Sequence, residues 1–538
     1  MWRLGWRDRV WESLDQTFDL IVIGGGITGA GIFLEASRQG LKTLLLEAAD
    51  FASGTSSRSS KLVHGGFRYL RNGQIKITYD SVRERERLLK DQRGLINELG
   101  FIIASYKGDR IPMWVLGAGL SVYDLLAFKW GHKYYQPDRI LDLCSCLNAQ
   151  DLRGGYRYFD ALTDDARLVL KTIKLGVEIG SIALNYARVE KILRTTNHQT
   201  AGVAIRDMSP ERNPRTEEVR ARAVINATGA WAEDVLDIAS SASSRTRKLR
   251  LLRGSHLVFS QATLPLTRAI SIWHPRDKRP VFAFPWEGVT LVGTTDVDSK
   301  EAISTNPSIS PGEIEYLLEF VQFAFPGLEL DEDDIQSTYS GYRSVIDTGK
   351  VDPSKESREY FFWYDNGCLT VAGGKLTTFH LVAIQALEHI RKRINGWEVT
   401  QEHTKPANPP SISLFVDSPI ETRTGIRMIG RYGNELIPMV NEVDENEFQP
   451  IESSINLWAE IRWAARTEGI IHLEDLLLRR VRLANLLPRG GFEVLDRIKK
   501  IVIEELNWED WRWVEEINRY RSLLGKSYSL KVSPADES

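Results

Sequence analysis

Residues 18 to 47, FDLIVIGGGITGAGIFLEASRQGLKTLLLE, set the pattern for the chain. A near-continuous apolar run from Phe18 to Ile23 has the length of a strand and the two-sided hydrophobicity of a parallel strand buried on both faces. It breaks into glycines, continues as a helical stretch to Gly40, a predicted helix C-cap, and resumes as a second apolar strand, Thr43 to Leu46. The same strand, glycine and helix order returns at ARAVINATGAWAED, residues 221 to 234, and at CLTVAGGKLTTFHLVAIQALEHIRKRI from residue 368. Between these, residues 75 to 130 carry apolar positions at helical spacing, with SVRERERLLK as a mainly solvated helix face. Residues 181 to 225 read as strands with a polar hairpin around SPERNPR, and residues 253 to 296 as a β-rich antiparallel sheet. ANPPSIS near residue 410 reads as a linker into a helical region rich in Trp, Arg and Glu. At the N-terminus Trp2, Trp6, Val10 and Leu14 recur every four residues, which suits either a helix packed on its own domain or one lying on a membrane; the interspersed acids favour the first.

The predicted architecture is therefore α/β: a split Rossmann-type dinucleotide-binding domain, an antiparallel-sheet substrate cap and an α-helical C-terminal domain. The expected boundaries are 1–16 for the amphipathic N-terminal segment, 17–400 for the interleaved binding domain and cap, and 401–538 for the helical domain.

Composition narrows the options. With 69 Lys plus Arg against 72 Asp plus Glu, the net charge of -3 gives no bulk attraction to nucleic acid or anionic lipid, so any basic site is local. Three cysteines in 538 residues indicate a reducing compartment, and Cys144 and Cys146 lack the second ligand pair of a metal site. No uncharged apolar run reaches about 18 residues and no secretory h-region forms, so the expected location is cytoplasmic, with at most peripheral contact to the membrane.

The glycines carry the first chemistry. Gly24, Gly26 and Gly29 form a G-x-G-x-x-G between strand and helix, where backbone approaches a pyrophosphate and the helix N-terminus offers free N–H donors. Glu47 ends the second strand at the spacing of an acid that accepts from a ribose. The hydroxyl-rich loop that follows places Thr55, Ser56 and Ser57 where they can continue along the pyrophosphate, and leads into KLVHGGFRYL. Gly229 sits in a small turn suited to a nucleotide. Gly373 and Gly374 aim another helix N-terminus, with Lys375 and Thr377, at an electron-rich group such as a flavin ring.

Taken in order, IVIGGGITGAGI, GTSSRSSKLVHGGFRYL, DDARLVL, VINATGAWAED, RGSHLVF, FPWEGVTLVGTTD, YSGYRS and GGKLTT make the chain resemble the FAD-dependent sn-glycerol-3-phosphate dehydrogenases, within the D-amino-acid-oxidase-like flavoproteins. WAEIRWAARTEGIIHLEDLLLRR is similar to that family's C-terminal region. The resemblance implies FAD as cofactor, with His64, Gly65 and Gly66 against the flavin ring, Arg68 and Tyr69 facing the substrate, Arg343 binding its phosphate and Lys375 at the ring. The implied reaction oxidises glycerol 3-phosphate at C2 to dihydroxyacetone phosphate by hydride transfer to flavin N5, with a quinone as acceptor; a homodimer is one open assembly, since the sequence does not reveal the oligomeric state. His64 is the first candidate for the base; fixing flavin geometry is its alternative role, and His256 and His380 are the other candidate bases. Arg253 and Arg279 are further candidate phosphate ligands, each better read as structural. Two positions depart from the family pattern: Ser344 stands where a proline usually follows the arginine, and His380 where an arginine usually follows the aromatic. Either could re-aim the substrate site. Two rivals stay open: an oxidase or dehydrogenase of another hydroxy or amino substrate, and a non-catalytic flavin-bound assembly protein.

Overall fold

In a computed structural model the chain is described over residues 2–71, 73–210, 214–239, 249–299, 302–347, 349, 360–391 and 420–528. The expected domain boundary at 400, the ANPPSIS linker and the tip of the SPERNPR hairpin lie outside those residues.

The apolar runs assemble as their two-sided hydrophobicity requires. Thr17–Ile23 lies at the centre of an eight-stranded sheet, parallel to Thr43–Leu46 on one side and Thr216–Asn226 on the other. Cys368–Ala372 continues the parallel set beyond Thr216–Asn226, and Ile182–Leu184 does so beyond Thr43–Leu46. The helices Ile27–Arg38, Asp165–Glu178 and Phe379–Arg391 pack together over this sheet. Its central strand carries Leu20, Ile21 and Val22 fully buried, so the carboxyl ends of the strands are rigid points from which the glycine turns leave.

The cap is a ten-stranded, mostly antiparallel sheet. Leu249–Ser260 pairs with Val289–Gly293 and with Ser337–Ile346, and Ile96–Tyr106 pairs with Leu152–Thr163. Ile96–Tyr106 corrects the expectation of helix from 75 to 130: two helices, Ile75–Asp91 and Met113–Ala127, flank a strand. Within SVRERERLLK, Arg85 is buried rather than solvated, and its guanidinium bonds Asp160 and the Tyr123 hydroxyl.

The N-terminal helix Trp6–Glu12 packs on the chain's own core. Trp2 stacks on Phe51 with ring centres 5.2 Å apart, and Trp2, Trp6 and Trp11 are all buried. Arg7 is buried too, donating to the carbonyls of Asn185 and Tyr186 and pairing with Asp207 at 2.5 Å. Membrane contact through this tryptophan face, the weaker of the two sequence readings, is thereby overturned.

Residues 420–528 are helical, and their charged side chains reach into the first domain. Arg479 and Arg480 both pair with the fully buried Asp50, just past the second strand of the parallel sheet. Arg167 pairs with Glu468 at 2.6 Å, both buried. Burial alone would raise the Asp50 carboxyl, but Arg480 and Arg479 outweigh it and hold the group below its ordinary range.

Candidate active site

At the end of Thr17–Ile23 the chain turns through Gly24 at φ 108°, a conformation L side chains avoid. A Cβ on Gly24 would stand 2.7 Å from the Ala227 carbonyl oxygen, and one on Gly29 would stand 1.8 Å from the Gly24 carbonyl oxygen. The first glycine thus permits the tight turn, and the third lets helix Ile27–Arg38 sit against it. The Ser56 hydroxyl accepts from the Ile27 N–H at 2.9 Å, tying the hydroxyl-rich loop to the helix N-terminus. Glu47 accepts from the N–H groups of Gly25 at 2.7 Å and Ala49 at 2.9 Å. Burial raises its carboxyl above the usual value, and those N–H groups oppose the shift.

Gly24, Gly26, Glu47, Thr55, Ser56, His64, Tyr69, Gly229, Arg343, Gly373, Gly374, Lys375 and Thr377 all line one cavity of about 730 Å³. Gly29, Ser57, Gly65 and Gly66 do not line it. The side chain of Arg68 lies outside the described residues, although its backbone belongs to helix Phe67–Arg71. Strand residues Ala187 to Val189, which sequence reasoning left unassigned, line the cavity together with Glu47.

The loop from Thr55 to Lys61 is held from below. Thr55 donates to the Tyr342 carbonyl at 2.5 Å, which joins the loop to the strand bearing Arg343. The fully buried Lys61 ammonium donates to both Asp165 carboxylate oxygens, at 3.0 and 3.1 Å, and to the Ser57 carbonyl at 3.0 Å. It lies 4.9 Å from the Trp286 ring centre and 4.7 Å from that of Tyr339. Burial, with Arg482 beside it, lowers its pKa to about 8 against the pull of Asp165. Arg482 also donates to the Ser57 carbonyl, at 2.9 Å, and Asp165 accepts from both the N–H and the hydroxyl of Ser59. Sequence reasoning missed Lys61, Asp165 and Arg482 as supports of the loop; they are far apart in the chain, and no local spacing joins them.

At the far end the segment from His64 to Tyr69 meets the turn after Gly374. The His64 N–H donates to the Thr377 hydroxyl at 3.2 Å, and that hydroxyl donates to the His64 carbonyl at 3.3 Å. Lys375 sits 4.0 Å from the Tyr69 ring centre and donates to the Ser81 hydroxyl at 3.0 Å. The His64 and Tyr69 rings lie 6.4 Å apart, nearly parallel. Gly66, at φ 75°, is packed so closely that a Cβ would stand 2.1 Å from the Tyr69 ring. The Gly65 N–H donates to Asp160, and a Cβ there would stand 2.3 Å from the Tyr123 hydroxyl. Packing within the protein is therefore enough to require both glycines.

Arg343 lies 3.5 Å from Asp296 and donates to the Thr294 hydroxyl at 3.2 Å. Arg279 pairs with the other oxygen of Asp296 at 3.4 Å, so one carboxylate holds two guanidinium groups beside the cavity wall. Arg253 instead pairs with Glu313 at 2.7 Å, a carboxylate also held by Ser255, Thr295 and Ser310, which is a structural arrangement. His256 is fully buried, does not line the cavity, and bonds the Ser60 hydroxyl at 2.9 Å. Burial, then Arg343 and Lys61, hold its pKa well below the ordinary histidine value, so it is neutral at pH 7. His380 bonds Arg87 at 2.6 Å and lies 3.6 Å from Glu84 on the neighbouring helix, also off the cavity. Ser344 does line the cavity, with its backbone paired to Leu251 in the cap sheet.

The donor set fits a dinucleotide. A glycine turn in which Gly24 is closed to a Cβ, an acid held by two N–H groups, two helix N-termini and a lysine border one cavity. Comparison with known proteins agrees. The family described as FAD dependent oxidoreductase matches residues 19–379, and the C-terminal domain of alpha-glycerophosphate oxidase matches residues 401–513. An aerobic glycerol-3-phosphate dehydrogenase of Staphylococcus haemolyticus is 31% identical over 492 residues, covering 87% of each chain. Its counterpart from Staphylococcus aureus is 31% identical over 501 residues, covering 88% of each. The crystal structure of the glycerol-3-phosphate dehydrogenase from Bacillus halodurans, complexed with FAD, superposes with a TM-score of 0.78 at 26% identity over 98% of both chains. The L-alpha-glycerophosphate oxidase of Mycoplasma pneumoniae, with FAD bound, shares the fold with a TM-score of 0.55 at 16% identity, covering 70% of this chain and 95% of its own.

Proposed function

The chain belongs to the FAD-dependent oxidoreductase family, and from that membership we propose that it oxidises sn-glycerol 3-phosphate to dihydroxyacetone phosphate. The observation that carries this reading is the convergence, in one cavity, of a dinucleotide cradle with Arg343, Lys375, His64 and Tyr69. FAD, when bound, supplies the two-electron acceptor for the hydride that leaves C2.

The residues of the chain do the rest. Glu47 would accept from the ribose hydroxyls of the cofactor, and Gly24, Gly26, Ile27 and Thr28, which line the cavity, would hold its pyrophosphate. Arg343, which pairs with Asp296 in this structure, binds the substrate phosphate, and Arg68 is the second arginine that the resemblance assigns to the substrate. Holding the phosphate fixes C2 and spends binding energy on orientation. The His64 imidazole takes the C2 hydroxyl proton, because of the three candidate bases it alone lines the cavity. His256 serves Ser60, and its depressed pKa makes it a weak base. Lys375, steadied by Ser81 and the Tyr69 face, is a fixed cation for negative charge developing at the ring.

The two departures from the family pattern do not redirect this reading. Ser344 is paired with Leu251 in the strand that carries Arg343, and His380 faces Arg87 and Glu84. The acceptor in this reading is a quinone reached at a membrane surface. Contact there is peripheral, since no helix among the described residues is long and apolar enough to cross a bilayer. The domain division at 400 stands with the same proposal.

The test is anaerobic. Added sn-glycerol 3-phosphate should bleach the flavin band of the purified holoenzyme, and Arg343→Ala should raise the half-bleaching concentration roughly 10- to 100-fold, the worth of a lost charge-assisted bond. A flavin that dithionite reduces but glycerol 3-phosphate does not would reject the substrate.

A further inference from the structure

Three segments of the cap meet at the end of the cavity that holds Arg343. The strand Ser337–Ile346 carries that arginine, the turn after Val289–Gly293 carries Thr294 and Asp296, and the turn before Pro280–Trp286 carries Arg279. Thr294 and Arg343 line the cavity, whereas Asp296 and Arg279 do not. Gly254 makes the room for the guanidinium: a Cβ there would stand 2.8 Å from the Thr294 hydroxyl and 3.0 Å from an Arg343 nitrogen. The Asp296 side chain is 1% exposed, and its two oxygens face different cations, Arg343 at 3.5 Å and Arg279 at 3.4 Å. Arg279 is anchored by its backbone, its N–H donating to Asp277 at 3.0 Å and its carbonyl accepting from the His274 N–H at 2.7 Å.

Both pairs are long. In the same cap Arg253 closes on Glu313 at 2.7 Å and Arg250 on Asp298 at 2.5 Å, the range of a charge-assisted bond. Asp296 closes on neither of its arginines, so its attraction is divided between them. Asp296, Arg343 and Arg279 together carry one net positive charge; without Asp296 they would carry two, and without Arg279 none. That charge matters for turnover because the phosphate is common to substrate and product. Holding it more tightly stabilises both alike, and slows release without lowering the barrier between them.

We propose that Asp296 and Arg279 are positioning residues that act through Arg343 and set how tightly it holds the substrate phosphate. The carboxylate draws on the charge of Arg343, and Arg279 limits that draw. This rests on the reading of Arg343 as the phosphate ligand, and it gives the two side chains behind that arginine opposite effects on one affinity.

The experiment titrates the FAD-loaded full chain with inorganic phosphate by calorimetry, which requires no turnover. Arg343→Ala should weaken phosphate binding at least about tenfold, which identifies the site. Asp296→Asn should bind phosphate about tenfold more tightly than wild type, and Arg279→Gln about tenfold more weakly, since each changes the charge behind Arg343 by one unit in opposite senses. Arg279→Lys keeps the charge and should stay within about twofold of wild type. In a dye-linked assay Asp296→Asn should lower KM for glycerol 3-phosphate without raising kcat, and Arg279→Gln should raise KM. Residues that only support the fold would weaken binding together when replaced, and the lysine would not restore it. If Asp296→Asn does not fold, the comparison of Gln with Lys at the partly exposed Arg279 still decides. The proposal is overturned if Asp296→Asn binds phosphate no more tightly than wild type, if Arg279→Gln binds it as well as wild type, or if Arg343→Ala leaves binding intact. Phosphate affinities in the expected order, in a holoenzyme whose flavin glycerol 3-phosphate does not bleach, would reject the substrate and uphold the charge pair, so the two readings are scored separately.

Discussion

Replacing Asp165 by asparagine tests how the flavin loop is supported. Asp165 is fully buried and receives the Lys61 ammonium, the N–H and hydroxyl of Ser59, and Arg482 at 3.4 Å. Removing one partner of a buried ion pair ordinarily costs about 3–5 kcal/mol. Here the cost has a lower ceiling, because Lys61 already has a pKa of about 8 and can release its proton. At pH 7 it is protonated roughly ten to one, so becoming neutral in the variant costs about 1.4 kcal/mol. Weaker bonds from Ser59 add about 1–2 kcal/mol, for a total of about 3 kcal/mol. The pH dependence follows from the lowered folded pKa. The unfolded chain holds the Lys61 proton up to about pH 10.5, so the wild type gains stability from this group as pH rises from about 8 to 10.5. Without Asp165 the folded pKa drops further, and the gain begins at lower pH. The penalty of Asp165→Asn should therefore shrink by about 1.4 kcal/mol between pH 7 and pH 9, where Lys61 is mostly neutral in both proteins. Urea unfolding of both proteins, followed by tryptophan fluorescence at the two pH values, reads the difference from midpoints at matched slopes. A penalty equal or larger at pH 9 would refute the argument.

Two further substitutions bear on the cavity. Gly24→Ala combines a positive φ with a 2.7 Å approach to a backbone oxygen, so the protein should purify with less than about a tenth of the wild-type flavin per chain, read from the ratio of flavin to protein absorbance. His380→Arg restores the family's usual residue at a position that faces Arg87 and Glu84; KM for glycerol 3-phosphate in a dye-linked assay should stay within about twofold, and a larger change would return His380 to the substrate site.

How much of this could be read from the chain depended on whether the signal was local. The turn from Ile23 to Gly29 was legible because strand, glycines and helix are consecutive and each has a separate steric reason. His64, Tyr69 and Lys375 were legible through family resemblance, and their convergence required the fold. Ile96–Tyr106 was not legible as a strand: Ile102 and Ile103 are both buried, so the segment FIIASY is apolar on both faces and has no period-two alternation to separate it from a buried helix. The N-terminal tryptophans show the opposite limit. Their spacing identified a helical face, but only the position of Phe51 shows that the face is turned inward. Resemblance alone reads Arg253 as structural and Arg343 as a ligand; the physical reason for Arg253 lies in Glu313, supplied by another element.

The C-terminal helical region is best understood as part of the cavity's foundation. The loop that borders the dinucleotide groove contains two buried charges, Asp50 and Lys61, in a place where neither could be kept ionised by solvent. Asp50 finds its counter-charges in Arg479 and Arg480, and the Ser57 carbonyl that receives Lys61 also receives Arg482. Three arginines within four residues of the C-terminal region thus hold both ends of one loop. Because a buried charge is strongly destabilising when its partner is withdrawn, a displacement of this segment by a few ångströms would be felt first at Asp50 and Ser57, hence at the Ser56 bond to the helix N-terminus. The same loop is bonded through Thr55 to the strand carrying Arg343. The glycine turn, the strand of Arg343 and the C-terminal helices are therefore mechanically one unit, which accounts for ion pairs and a hydrogen bond that join segments more than 400 residues apart in the chain.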